Sequence, residues 1–159
     1  MWNCQYFQKV KMIRSGTVKV KELMTGNVIA IGAEEPVSVA ARALTHYNIG
    51  VLPVQGKTGE LCGVLTDRDI VTRCLAAGRT PENTSVQDIM TAQVHTVNPN
   101  MDASLAAHMM GRQQIRRLPV VENGKLCGML SLGDLAGQEE SSYDAADAFS
   151  QITSGISSR

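Results

Sequence analysis

The chain carries one message twice. Val20 to Val71 (VKELMTGNVIAIGAEEPVSVAARALTHYNIGVLPVQGKTGELCGVLTDRDIV) aligns with Val86 to Ala136 (VQDIMTAQVHTVNPNMDASLAAHMMGRQQIRRLPVVENGKLCGMLSLGDLA) at an offset of about 66 residues. A single one-residue gap falls in the turn after Val54 and Val120, and roughly a third of the aligned positions are identical. The matches include Met24-Thr25 with Met90-Thr91, Leu52-Pro53-Val54 with Leu118-Pro119-Val120, Leu61-Cys62-Gly63 with Leu126-Cys127-Gly128, and Asp69 with Asp134. A unit of about 50 residues buries too little apolar surface to be comfortable alone, so the two copies are expected to share their stability. The natural product is a pseudo-two-fold pair with any ligand sites at its symmetric seam.

Each copy predicts the order strand, helix, strand, strand, helix. A helical turn (VKELMT, VQDIMT) leads into a short apolar or alternating run (VIAI, VHTV). An amphipathic helix follows, with Val37, Ala40, Ala41 and Leu44 on one face of Pro36–Asn48, matched by Ala103, Ala106, Ala107 and Met110. The strands VLPV and LCGVLT, and RLPVV and LCGMLS, flank glycine-bearing turns and read as hairpins. Asp67 to Ala77 reads as a helix closed by Gly78, and the second copy runs less regularly from Leu132 towards Gln138. The fold class is therefore α/β (α+β), two pseudo-symmetric repeats, each with a short three-stranded sheet and two helices. Residues 18–78 and 86–137 form the repeats, 79–85 the Pro-containing linker, and 1–17 a leader in which Lys9, Lys11 and Arg14 interleave with Trp2, Tyr6 and Phe7. In the tail, 138–159, Tyr143, Ala146, Phe149 and Ile152 predict a weak amphipathic helix before the disordered-looking TSGISSR.

Composition excludes several functions. Acidic and basic residues balance at 15 each, so the body has no bulk field to draw in nucleic acid or an anionic membrane. No apolar run reaches 18 residues, and the first residues are polar where a secretory signal is apolar, so a cytoplasmic location is expected. Cys4, Cys62, Cys74 and Cys127 form no C-x-x-C and have no histidine at zinc-ligand spacing, so no metal site is expected. Cys62 and Cys127 are read as small core hydrophobes, and Met109 and Met110 as core or interface filler.

At its last strand each copy reads glycine, two apolar residues, a hydroxyl, two further residues and aspartate: Gly63 to Asp69 and Gly128 to Asp134. Thr66 and Ser131 sit where a strand becomes a helix. One account is a capping box, with the hydroxyl accepting from an early helix N–H and the aspartate reaching back to the cap's own amide. The other is ligand binding, with free N–H groups and a hydroxyl receiving a phosphate while the carboxylate accepts from both hydroxyls of a ribose. Arg116 and Arg117, at a strand start beside Ser131, add guanidinium groups near the phosphate position where the first copy has Gly50-Val51, so two unequal sites are expected.

These strings together, from Lys19 to Ala136, resemble a tandem cystathionine-β-synthase (CBS) domain pair, or Bateman module, of the stand-alone bacterial type. The resemblance implies two clefts between the repeats, homodimerisation through CBS helices, and an adenosine-containing ligand: AMP, ADP, ATP, S-adenosylmethionine or NAD. It further implies that Ser131 and Asp134 hold ribose and phosphate of one ligand, its base against Asn27, Ile29 and Ile49. Thr66 and Asp69 would serve the second cleft with Gln93, His95 and Ile115. Arg117, with Arg116, matches a phosphate-contacting position near the centre. Leu132-Gly133 in place of Asp67-Arg68 predicts weaker support for the Asp134 cleft, and His95 stands at an apolar β position of the pattern. No nucleophile–base pair, metal triad or phosphate-transfer loop is present in the sequence, which points to a non-catalytic regulatory module, an energy or metabolite sensor with no obligatory cofactor and an unknown effector protein as partner. A dimerisation scaffold with vestigial clefts is the alternative.

Overall fold

The computed structural model describes residues 17–138 and 141–156, so the leader's interleaved basic and aromatic residues and the last three residues lie outside the described residues. The first repeat runs α1 (Val20–Leu23), β1 (Ile31–Gly32), α2 (Val37–His46), β2 (Val51–Gln55), β3 (Leu61–Thr66) and α3 (Asp67–Asp69), which passes into a π-helical segment, Ile70–Leu75. The second runs from a 3-10 turn (Val86–Asp88) through α4 (Ala103–Gln113), β4 (Arg117–Glu122) and β5 (Lys125–Ser131) to α5 (Leu132–Ala136), and α6 (Ser142–Ile156) ends the described chain.

Both predicted hairpins form. β2 pairs antiparallel with β3 and β4 with β5, placing Val51 opposite Thr66 and Arg117 opposite Ser131. The second hairpin closes through Asn123 and Gly124, both at positive φ, a two-residue turn that accounts for the gap in the repeat alignment. The sheets differ in their third strand. β1 runs parallel to β2 in a three-stranded sheet, whereas the second repeat has a two-stranded sheet and a single parallel bridge, Val97 to Val120. In the first repeat the ladder continues because the Ala33 N–H donates to the Gln55 carbonyl at 3.2 Å. The matching position is Pro99, which has no N–H, so the strand stops there.

The repeats exchange their opening segments. Val20, with Val18, Leu23 and Met24, packs into the core formed by Met110, Leu118, Val120, Leu130 and Leu135 of the second repeat. Val86, Ile89 and Met90 fill the core of Val37, Leu44, Leu52, Val54 and Leu65 in the first. Backbone pairs fix the exchange symmetrically: Thr25 and Met129 exchange N–H···O bonds at 2.9 and 3.0 Å, and Val64 and Thr91 do so at 3.0 and 2.9 Å. Gly63 and Gly128 permit this approach. A Cβ at Gly63 would lie 2.7 Å from the Thr91 carbonyl oxygen and 2.8 Å from the Met90 sulfur. The linker belongs to the same scheme: the Thr84 and Pro81 carbonyls accept from the first two N–H groups of α2 at 2.9 and 3.0 Å.

The tail helix differs from expectation. It continues to Ile156, into the stretch whose composition predicts disorder, and it buries Ala145, Ala148 and Ile152 while Tyr143, Ala146 and Phe149 face outward. Close approach decided the face. α6 lies on α4 at Gly111, where a Cβ would stand 3.2 Å from the Ala148 Cα, so the seam takes the alanine stripe and excludes the bulky one. Cys62 and Cys127 are half-buried rather than fully enclosed, and Cys62, Cys74 and Cys127 are free thiols.

Two candidate ligand clefts at the repeat seam

The exchange of opening segments leaves two clefts related by the pseudo-two-fold. The wider, about 410 Å³, is lined by Thr66, Asp67 and Arg68 at the end of β3, by Thr91, Gln93, Val94 and His95 after the 3-10 turn, and by Ile115, Arg116 and Arg117. The narrower, about 250 Å³, is lined by Ser131 and Asp134, by Thr25, Asn27, Val28 and Ile29, and by Ile49, Val51, Pro53 and Arg117. Of the residues predicted for the sites, all line the expected cleft except Asp69, which lines neither, and Arg116, which is expected beside Ser131 and instead lines the Thr66 cleft. Arg117, Val51 and Met129 line both, so the clefts share a wall. Only the wider cleft falls in the range of about 300–1,000 Å³ usual for small-molecule sites.

Both capping boxes are complete. The Thr66 amide and hydroxyl donate to Asp69 Oδ2 at 2.9 and 2.7 Å, and the Asp69 amide donates to Thr66 Oγ1 at 3.1 Å. The Ser131 amide and hydroxyl donate to Asp134 Oδ2, each at 2.7 Å, and the Asp134 amide donates to Ser131 Oγ at 3.1 Å. The structural and ligand-binding accounts of this motif are therefore compatible, since each box consumes one carboxylate oxygen and leaves Oδ1.

The two Oδ1 atoms have different surroundings. Asp69 is buried, and its Oδ1 lies 3.4 Å from Arg73 Nη1. The same guanidinium nitrogen donates to the Ile89 carbonyl at 2.9 Å and the Thr91 hydroxyl at 3.1 Å, so Arg73 ties Asp69 to the opening segment of the other repeat. Asp134 is half-buried, faces its cleft, and its Oδ1 has no partner among the described residues. Gln138, one helical turn beyond Asp134, stands where the first repeat has Arg73. The sequence comparison of Leu132-Gly133 with Asp67-Arg68 predicted the weaker cleft at Asp134; the latch on Asp69 is an opposing asymmetry that it did not include. Arg73 was findable from its i, i+4 spacing to Asp69, whereas its reach to Ile89 and Thr91 depends on the exchange.

The arginines divide unequally as well. Arg68, Arg116 and Arg117 are exposed at the wider cleft, and none forms an ion pair among the described residues. Arg117 and Asp67 approach Gly50 from two sides: a Cβ there would stand 3.8 Å from Arg117 Nη1 and 3.8 Å from Asp67 Oδ2. Arg68 escaped the sequence reading as a site residue because it was weighed only as support for the helix.

The family profile for the CBS domain matches residues 20–76 and 86–139. This chain belongs to the CBS-domain family. It is 38% identical over 134 residues to the CBS domain-containing protein YhcV of Bacillus subtilis (strain 168), covering 84% of this chain and 94% of that one. Among solved CBS structures, it resembles Hypoxic Response Protein I with two coordinated zinc ions (TM-score 0.71, 30% identity, 76% of this chain and 98% of that chain). It also resembles the CBS domain pair of protein MJ0100 in complex with 5'-methylthioadenosine and S-adenosyl-L-methionine (TM-score 0.69, 25% identity, 77% and 95%). In this CBS pair, no group of three or more His, Cys, Asp or Glu among the described residues is placed to hold a metal ion. No helix of the described residues is long and apolar enough to cross a membrane.

Proposed function

We propose that this CBS pair is a non-catalytic regulatory module that binds an adenosine-containing ligand in its seam clefts and reports it to a partner. One observation carries the reading: the narrower cleft combines a hydroxyl-x-x-aspartate strand end from one repeat with an apolar and amide wall from the other, a pairing suited to ribose hydroxyls and a base, and the wider cleft repeats the arrangement with Thr66 but without Asp69. Asp134 is the better ribose acceptor, because its Oδ1 faces the cleft without a competitor. Asn27 supplies an amide and Ile29 and Ile49 an apolar wall for the base, with Gln93, His95 and Ile115 as their counterparts opposite. The complex of the MJ0100 pair with two adenosyl compounds supports this ligand class.

The module acts in the cytoplasm as a homodimer. The first repeat leaves Tyr47, Val71 and Leu75 exposed on its helices, and in the second repeat, where α6 packs on α4 and α5, Leu105, Tyr143 and Phe149 are exposed. These apolar side chains are the candidates for self-association through CBS helices. Sensing requires that ligand bind one arrangement of the repeats better than another.

The test is a thermal-shift screen of the purified protein against AMP, ADP, ATP, S-adenosylmethionine, 5'-methylthioadenosine and NAD. A ligand at about 100 times its dissociation constant adds roughly 2.7 kcal/mol, a readable rise in melting temperature. A selective rise supports the sensor. A second reading is a dimerisation scaffold with vestigial clefts, in which Thr66, Asp69, Ser131 and Asp134 serve as helix caps alone, and indifference to every adenosine compound would establish it over the first.

A further inference from the structure

The outer side of α6 is an exposed apolar row. Tyr143, Ala146 and Phe149 follow one another at steps of three, with Tyr143 88% and Phe149 55% exposed. Asp144 and Asp147 stand beside the row, and neither pairs with a lysine or arginine among the described residues. The two ends of the chain are opposite in charge. Residues 1–16 hold Lys9, Lys11 and Arg14 and no acid, whereas residues 138–158 hold Glu139, Glu140, Asp144 and Asp147 and no lysine or arginine. We propose that residues 1–16 of the leader dock on the outer side of α6 of their own chain, the aromatic residues on the Tyr143–Phe149 row and the basic residues at Asp144 and Asp147. The proposal does not rest on the adenosyl reading, and it removes Tyr143 and Phe149 from the candidates for self-association.

Position, reach and chemistry carry it. Thr17 is hydrogen-bonded to Asp102, and the Ala103 amide donates to the Val18 carbonyl at 2.9 Å, so the leader joins the body at the N-terminus of α4. α6 lies alongside α4 in the same direction, with Asp144 3.9 Å from His108 and Ala148 packed at Gly111, so this junction is level with the start of α6. Sixteen residues span up to roughly 50 Å when extended, more than twice the length of α6, whose 15 residues rise about 22 Å. Running back from the junction, Arg14 and Lys11 come first, towards Asp144 and Asp147, and Phe7, Tyr6 and Trp2 follow, towards Phe149. Trp2, Tyr6, Val10 and Ile13 recur at steps of three or four, the pattern that gathers apolar side chains on one face. Aromatic residues bring a large apolar area to such a contact. The tether makes the encounter intramolecular, so a contact too weak to hold a separate partner holds this one.

Trp2 is the single tryptophan of the chain, so its fluorescence reports on the leader directly. In the full-length protein without lipid, its emission is expected to be blue-shifted from that of free tryptophan and shielded from acrylamide, and to remain so on dilution while light scattering follows the oligomeric state. The shielding is expected to be lost in Phe149→Asp, weakened in Asp147→Lys and by high salt, and unchanged in Val71→Ser, an exposed apolar position of the first repeat. Circular dichroism checks that each variant is folded, and Asp147→Lys, a charge change at an exposed position, keeps the test decisive if Phe149→Asp is not. Trp2 that emits and quenches like free tryptophan overturns the proposal, as does shielding indifferent to the α6 substitutions. Shielding that disappears as the protein dissociates on dilution assigns the leader to a second copy and overturns docking on its own chain. Shielding that arises only with vesicles of equal parts phosphatidylserine and phosphatidylcholine makes the leader a membrane contact and overturns it too.

Discussion

Asp69 and Asp134 occupy one position of the repeat and make the same capping box, yet one is buried behind an arginine and the other faces a cleft. Residue identity alone did not separate them; the neighbour one helical turn on did. Asp134→Ala is expected to abolish the adenosyl-induced rise in melting temperature at the narrower cleft. Removing the cap hydroxyl is a separate matter: Thr66→Ala or Ser131→Ala should cost about 1 kcal/mol in denaturant unfolding, the usual worth of such a cap. The thiols give a further check. Burial, with the Glu122 charge adding to it, pushes the Cys127 thiol above its ordinary value, and its Sγ donates to the Val120 carbonyl at 3.3 Å. Cys127 is therefore expected to alkylate more slowly than a model thiol at pH 8 in a mass-spectrometric time course, because less of it is thiolate.

Among the elements, helices, hairpins and the hydroxyl-to-aspartate strand ends were legible, because apolar period and turn chemistry are local signals. The strand that shrank to one bridge was legible in principle, since Pro99 cannot donate, but VHTV alone reads as a strand. The tail helix was placed and its face misjudged: Ile152 is buried as expected, while the choice of Ala145 and Ala148 over Tyr143 and Phe149 was made by Gly111 on another helix. The matched glycines show the same dependence on context. A Cβ at Gly63 would meet the Thr91 backbone oxygen at 2.7 Å, whereas at Gly128 the nearest atom is the movable Met24 sulfur and the Thr25 oxygen stands at 3.2 Å. Gly63→Ala is expected to destabilise by about 1–3 kcal/mol and Gly128→Ala by less, ranked by urea midpoints at constant m.

At the scale of the whole molecule, the pair is held by contacts that cross it twice. Lys19 bonds to Asp102, and with Thr17 holds that carboxyl below the ordinary aspartate range. A carboxyl depressed in the folded state stabilises above its unfolded pKa and loses that contribution as pH falls through its folded value. Asp102→Asn is therefore expected to flatten the acid limb of the stability profile below the ordinary aspartate pKa, read by unfolding at stepped pH. That the repeats need one another followed from their size; that each lends the other its opening segment did not, because Val20 and Val86 have the same surroundings in either arrangement of the sequence.

The exchange also orders events during synthesis. The first repeat's core lacks Val86, Ile89 and Met90 until the ribosome has passed the linker, so the nascent first copy emerges with an open groove where those side chains belong. Its own opening segment, meanwhile, waits for a core that is translated after the linker. Folding of this chain is thus expected to be held back to a late, concerted closure, and a ribosome-bound chain arrested within the linker should be cut by protease throughout.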